Sequence, residues 1–202
     1  MARPRTFDEQ KALDAATEEF WRHGYAAAST RDLSECMGMC APSLYNAFGD
    51  KRALFIRALE HYATQTTRAR ITRLEASYDG GARVRTYFEE AIAKMLADPE
   101  RRGCLIINTA LEVAPRDEEI AAAVATYLGE VRAFFERAIC AAQSAEETPA
   151  TIDAADAAEM LLGLMLGIRV LGRTSQDRAA FDAMLRPVFA LLQIPPTNQE
   201  GR

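Results

Sequence analysis

Apolar residues recur along this chain at intervals of three and four, and no stretch alternates apolar with polar residues as a half-buried strand does. That spacing commits the chain to helices and leaves nothing from which to build a sheet. Leu13, Ala16, Phe20 and Trp21 mark the inner face of a first helix, expected from about Phe7 to His23 and ended by Gly24. Thr30 to Met37 reads as a short second helix with Ser29 as its N-cap and Leu33, Cys36 and Met37 on its inner face. Gly38 breaks it. Ala41 to Phe48 reads as a third short helix, with Pro42 tolerated in the first turn. After a Gly49-Asp50 turn, a long fourth helix is expected from Lys51 to about Ala76, with Asp50 as its cap.

Five further helices follow. Gly80-Gly81 separates the fourth from a fifth, about Ala82 to Ala97, which Asp98-Pro99 ends. A sixth spans about Arg102 to Val113 and stops before Pro115. Asp117, Glu118 and Glu119 suit the positive N-terminal end of a seventh, reaching about Ala142. Ser144 to Ala150 reads as a loop. The eighth runs from about Asp153 to Leu171 and the ninth from about Gln176 to Leu192, kinked at Pro187. Pro195-Pro196 starts a polar tail. The fold class is therefore all-α with about nine helices: a small N-terminal domain, residues 1–52, and a larger helical domain, residues 53–202.

Composition excludes several function classes. The longest apolar stretch, Met160 to Gly172, contains Arg169 and is shorter than the ~20 residues a membrane span needs. Phe7-Asp8-Glu9 stands where a signal peptide would have its apolar run, so a cytoplasmic, reduced protein without a membrane partner is expected. Cys36, Cys40, Cys104 and Cys140 lack paired C-x-x-C spacing and are expected as small apolar core residues, with no metal or cofactor. The two histidines, His23 and His61, have no nucleophile or carboxylate at catalytic spacing, and no Gly-rich phosphate loop or H-E-x-x-H occurs. An enzyme is not expected.

The second and third helices flank the tight turn at Gly38, and Ala41, Leu44, Tyr45 and Phe48 are spaced to anchor the latter. This is the layout of a helix-turn-helix, whose second helix enters the major groove. Charge argues both ways. The chain carries a formal −5, and Met1 to Arg52 holds seven Lys/Arg against eight Asp/Glu. Yet no acidic residue lies between Cys36 and Gly49, and Arg3, Arg5, Arg31, Lys51 and Arg52 flank that stretch. A local patch of this kind tolerates a phosphate backbone.

Gly24-Tyr25, Ser29-Thr30-Arg31-Asp32-Leu33, Gly38-Met39, Pro42-Ser43-Leu44-Tyr45, Phe48-Gly49-Asp50-Lys51 and Ala53-Leu54-Phe55 together closely resemble the DNA-binding domain of TetR-family regulators. The resemblance runs without a gap from about Phe7 to Phe55, and beyond it extends only to architecture. It implies a regulator that binds double-stranded operator DNA. Thr30 and Tyr45 would offer hydroxyls, and Lys51 a charge, to phosphates. Arg31 would reach guanine and Asn46 adenine. Ala41, Pro42 and Ser43 would allow close approach at the start of the recognition helix. Ala47 leaves only a methyl group where many family members have a larger side chain.

The same resemblance makes the larger domain the site of homodimerisation and of an unidentified small-molecule effector. The run Met160 to Ile168 is apolar all round, and Gly163 and Gly167 form a groove for close helix approach. With Phe181, Leu185 and Phe189 of the ninth helix it would build a four-helix dimer interface; a buried core helix in a monomer is the other reading. Tyr62, Phe88, Phe134 and Met165 would line an apolar cavity or serve as plain core. Asn108, polar within an apolar run, either faces such a pocket or caps a neighbouring backbone group. Arg169 is a pocket cation or a charge at the dimer edge. Cys104, after Arg101 and Arg102 at a helix start, is either an electrophile- or oxidant-sensing thiol or an inert one. The implied mechanism is allosteric: effector tilts the fourth helix and changes the separation of two recognition helices. The function implied is that of a repressor released from a palindromic operator by a small molecule; an activator, an electrophile- or oxidant-sensing regulator acting through Cys104, and a helical interaction module without DNA binding, against which Tyr45 and Lys51 argue, are the alternatives.

Overall fold

The computed structural model describes residues 8–194. Phe7, Arg3, Arg5 and the Pro195-Pro196 tail lie outside the described residues. Ten α-helical segments follow one another without a strand among the described residues: α1 Glu9–Ala27, α2 Thr30–Cys36, α3 Ala41–Phe48, α4 Lys51–Ala63, α5 Ala69–Ser77, α6 Gly80–Leu96, α7 Leu105–Glu112, α8 Glu118–Ser144, α9 Ala154–Leu171 and α10 Arg178–Leu191. A π-turn, Thr64–Arg68, joins α4 to α5, so 51–77 is the single long helix expected from the sequence. The π-turn itself was not expected. It falls on Thr-Gln-Thr-Thr-Arg, which buries nothing, and Thr66 Oγ1 donates to the Tyr62 carbonyl at 2.6 Å. Threonine hydroxyls compete there with the regular ladder.

Most helix starts are set by caps visible in the sequence. Asp8, Ser29, Asp50, Asp153 and Asp177 each accept a backbone N–H of the first turn. Gly24 interrupts α1 at φ +80°, as expected, but one further turn, to Ala27, follows it. Gly80 and Gly81 are not a linker. They form the first turn of α6, where a Cβ on Gly80 would stand 3.0 Å from Ala142 Cα and the Gly81 N–H donates to Glu147 at 3.2 Å. α7 starts at Leu105 rather than Arg102 because Asp98 takes the Arg102 N–H at 2.9 Å and Arg101 and Gly103 adopt positive φ. α10 runs through Pro187.

The packing divides the chain into two compact units, and not by a single cut at 52/53. One comprises residues up to Thr66 together with Cys104–Val124; the other comprises Thr67–Gly103 and residues from Ala125 onward. In the first, Phe20 meets Phe55 edge-on at 4.8 Å and Trp21 meets Tyr62 at 5.3 Å, fixing α1 on α4. Leu33, Met37, Leu44 and Phe48 bury the inner faces of α2 and α3. In the second, Tyr87, Phe88, Phe134, Phe135 and Phe189 form one aromatic cluster, with Phe88 and Phe135 stacked at 5.6 Å. Burying each such side chain contributes about 1.5–3 kcal/mol.

Candidate nucleic-acid interface

The turn between α2 and α3 is built from local chemistry. Ser29 Oγ accepts the Asp32 N–H, and the Asp32 carboxylate accepts the Ser29 N–H at 3.1 Å and its hydroxyl at 2.6 Å. These bonds hold the Asp32 pKa below its ordinary value. Gly38 closes the turn at φ +63°, a conformation that favours glycine. Leu44 and Phe48 of α3 are buried against the unit, so the opposite face must point out. That face presents Pro42, Ser43, Tyr45 and Asn46, all exposed, with Ala41 and Ala47 half-buried at its margins. It carries no acidic residue.

Polar groups expected to meet DNA are already oriented. Tyr45 Oη donates to Thr30 Oγ1 at 3.3 Å, tying the recognition helix to the first turn of α2. Arg31 is 84% exposed and pairs with Glu35 one turn along, at 2.9 Å. Such an exposed pair is weak and can be exchanged for a base or phosphate. Lys51 Nζ lies 4.7 Å from the centroid of the Tyr25 ring and donates to the Ala26 carbonyl at 3.4 Å, so its charge is docked on the α1–α2 corner. Ser43 Oγ is 3.1 Å from Cys40 Sγ.

Three side chains hold this face from behind, two of them, Arg57 and Glu112, without any sign in the sequence. Arg57 lies over the Phe48 ring, donates to the Ala47 carbonyl at 3.3 Å and pairs with Glu9, which anchors the end of α3. Glu112 accepts the Ala26 N–H at 3.2 Å, and a Cβ on Gly24 would stand 3.0 Å from its carboxylate. Arg52, counted above with the phosphate-facing charges, grips Asp117 through Nε at 2.6 Å and a second nitrogen at 2.7 Å, and reaches Glu119 at 2.7 Å. The Arg52 partners lie 65 and 67 residues away, beyond any local spacing rule.

The other candidates divide between the two units. Tyr62, Cys104 and Asn108 belong to the first. Tyr62 is buried, while Cys104, the N-cap of α7, and Asn108 are half-buried. The Arg102 guanidinium, expected to act on Cys104, pairs instead with Asp98 and Glu100. Phe88, Phe134 and Met165 belong to the second unit and are buried in its core. A surface groove of about 580 Å³ runs between α6 and α10, lined by residues that include Arg85, Arg186 and Phe189 and by none of the expected effector residues.

Phe181, Leu185 and Phe189, expected at a dimer interface, are at most 6% exposed within the protomer, and Leu185 and Phe189 line the groove between α6 and α10. Their i, i+4, i+8 stripe faces the unit's own core. Gly163 is exposed and Gly167 half-buried, and exposed Val170, Leu171 and Leu191 lie on the same two helices. The cysteines are not core residues: Cys36, Cys40 and Cys140 are exposed. Polar helix ends, not apolar faces, hold the first two. Among the described residues no group of three or more His, Cys, Asp or Glu is placed to hold a metal, and no helix is long and apolar enough to cross a membrane.

A short helix with an exposed, acid-free polar face, set on a capped helix-turn-helix, defines a DNA-binding regulator. The chain belongs to the TetR family: residues 12–58 match the family described as "Bacterial regulatory proteins, tetR family", and residues 80–188 match "Tetracyclin repressor-like, C-terminal domain". It is similar to the HTH-type transcriptional repressor ComR of Escherichia coli (strain K12), 29% identical over 96% of this chain and 91% of that protein. It is also similar to the uncharacterized HTH-type transcriptional regulator YezE of Bacillus subtilis (strain 168), 38% identical over 60% of this chain, a match that spans 62% of YezE. Among solved structures, a cysteine-substituted TetR-family regulator CifR complexed with 26-bp double-strand operator DNA is 32% identical, with a TM-score of 0.78 over 96% of this chain and 100% of that one. Reduced NemR of Escherichia coli, 19% identical with a TM-score of 0.81 over 94% of this chain and 100% of that one, shares the fold. The protein is a DNA-binding transcriptional regulator of a family of regulators rather than enzymes.

Proposed function

We propose that the protein is a homodimeric cytoplasmic repressor that binds a palindromic operator and is released by a small-molecule effector. The observation that carries this reading is the outward face of α3, where Pro42, Ser43, Tyr45 and Asn46 stand exposed opposite the buried Leu44 and Phe48. That face spans too few bases for one copy to specify a site, so a two-fold pair reading two half-sites is the economical arrangement. CifR, described as bound to operator DNA, and ComR, described as a repressor, support the same reading. The dimer surface is assigned to α9 and α10 through Gly163, Gly167, Val170 and Leu191. Tyr62, Cys104 and Asn108 remain the effector candidates of the first unit, and Phe88, Phe134 and Met165 those of the second.

Selection of bound duplexes from a random pool by the purified protein tests this directly. Enrichment of a palindrome, with a steep loss of affinity as salt rises, is the expected result. Enrichment of a single half-site bound by one protomer would refute the dimeric reading, and no enrichment at all would refute operator recognition.

A further inference from the structure

Arg52 sits beside Lys51 at the start of α4, and its position in the sequence makes it look like a second phosphate contact. Each of its three guanidinium nitrogens already donates to a carboxylate. Nε and one terminal nitrogen form a two-point grip on Asp117, at 2.6 and 2.7 Å, and the other terminal nitrogen reaches Glu119 at 2.7 Å. A bidentate, charge-assisted fork of this kind is both stronger and more directional than a single ion pair. Asp117 is itself fixed, because the same carboxylate accepts the Ile120 N–H at 3.1 Å in the first turn of α8. The far side of the same helix-turn-helix is held by a third carboxylate of this segment: Glu112 takes the Ala26 N–H where α1 gives way to α2. Residues 112–119 therefore hold both sides of the recognition helix, through the Ala26 N–H at the corner before α2 and through the Arg52 side chain in the first turn of α4.

We propose that Arg52 is a positioning residue for DNA binding, not a phosphate ligand: its fork to Asp117 and Glu119 sets the direction in which α4, and α3 ahead of it, are presented. The proposal rests on the helix-turn-helix being the DNA-binding surface, and makes a prediction that a phosphate contact does not. A residue that orients the reading helix controls discrimination between sequences, whereas a residue that neutralises a phosphate strengthens binding to every duplex alike.

The test measures affinity against salt for an enriched duplex and for an unrelated duplex of equal length. Wild type is compared with Arg52→Gln, with Asp117→Asn/Glu119→Gln, and with the swap Arg52→Asp/Asp117→Arg, each checked for helix content and melting temperature. Arg52→Gln and the Asp117→Asn/Glu119→Gln pair should each weaken the enriched duplex about tenfold while leaving the unrelated duplex and the salt slope unchanged. The swap should recover part of the loss. If Arg52→Gln weakens both duplexes and lowers the salt slope by about one, while Asp117→Asn/Glu119→Gln behaves as wild type, Arg52 is a phosphate ligand and the proposal is overturned. Should Arg52→Gln fail to fold, the Asp117→Asn/Glu119→Gln pair decides alone: unchanged discrimination rejects positioning. Should no duplex be enriched, operator recognition fails separately, and the unrelated duplex still reports whether Arg52 touches phosphate.

Discussion

Tyr45 and Thr30 meet across the helix-turn-helix, with the phenol hydroxyl of one donating to the hydroxyl of the other at 3.3 Å. The pair joins the two helices at their DNA-facing edge. Tyr45→Phe removes the donor and keeps the ring. Affinity for an operator duplex should fall roughly two- to tenfold, the worth of about one hydrogen bond, with the melting temperature nearly unchanged. A fluorescence titration and a thermal scan on the same sample check both halves of the claim. Unchanged affinity would mean that neither the phenol hydroxyl nor its bridge matters to binding.

Asn46 is exposed on the recognition helix. Its amide can donate and accept at once, which suits the N6 and N7 edge of adenine. Asn46→Ala should cost about 1–3 kcal/mol of discrimination at one base pair of each half-site. Competition between an operator and its single-base variants measures this. A variant protein that discriminates as well as wild type would move sequence reading elsewhere, with Arg31 and Ser43 next in line.

The two cysteines flanking the turn differ in reactivity. Cys36 is exposed as a residue, but its sulfur turns inward onto the carbonyls of Leu33, at 3.3 Å, and Ala15, at 3.7 Å. Burial of the sulfur, aided by nearby Glu19, pushes its pKa up to about 11. Cys40, bonded to Ser43, is shifted down. Since the thiolate is the nucleophile, iodoacetamide at pH 8 should label Cys40 well before Cys36. Peptide mass spectrometry over a time course reads the order, and equal rates would contradict it.

Asp117 has a pKa held down at about 2, chiefly by the Arg52 guanidinium and then by the Ile120 N–H. A carboxyl whose folded pKa is depressed adds stability above its unfolded pKa of about 3.9 and loses it as pH falls toward the folded value. Wild type should therefore lose stability between about pH 4 and pH 2 more steeply than Asp117→Asn. Urea midpoints measured across that range should converge at the acid end; parallel curves would show that the ion pair contributes nothing to folding.

The helix-turn-helix was legible in the sequence because its determinants are local. The Ser29 and Asp50 caps, the Gly38 turn, Pro42 in a first turn and the Leu44–Phe48 spacing each act within one or two turns of helix. What escaped depends on distant partners. The apolar stripe of Phe181, Leu185 and Phe189 announces burial but not whether a partner subunit or the same chain supplies the cover; the same chain does. Likewise the charge of Arg52 was evident, while the carboxylates that claim it stand 65 and 67 residues along the chain. Gly80 looked like punctuation because its need, close approach to Ala142, lies in another helix.

The capping and pairing of α1 to α4 also explains how an acidic chain can serve nucleic acid. Every one of the eight carboxylates between Met1 and Arg52 has a structural occupation. Asp8, Asp32 and Asp50 terminate helices. Glu9, Asp14, Glu18, Glu19 and Glu35 each face a nearby arginine or histidine. Their formal charge enters the isoelectric point, but none of it falls on α3. Neutralising the three caps would not be a free gain in DNA affinity, since each lost cap costs about 0.5–2 kcal/mol of stability, whereas the exposed pairs of Glu18 and Glu35 are weak. Tighter DNA binding is therefore open to added cations on the outward face of α3 and to removal of a weakly paired anion such as Glu35, and closed to removal of the capping carboxylates.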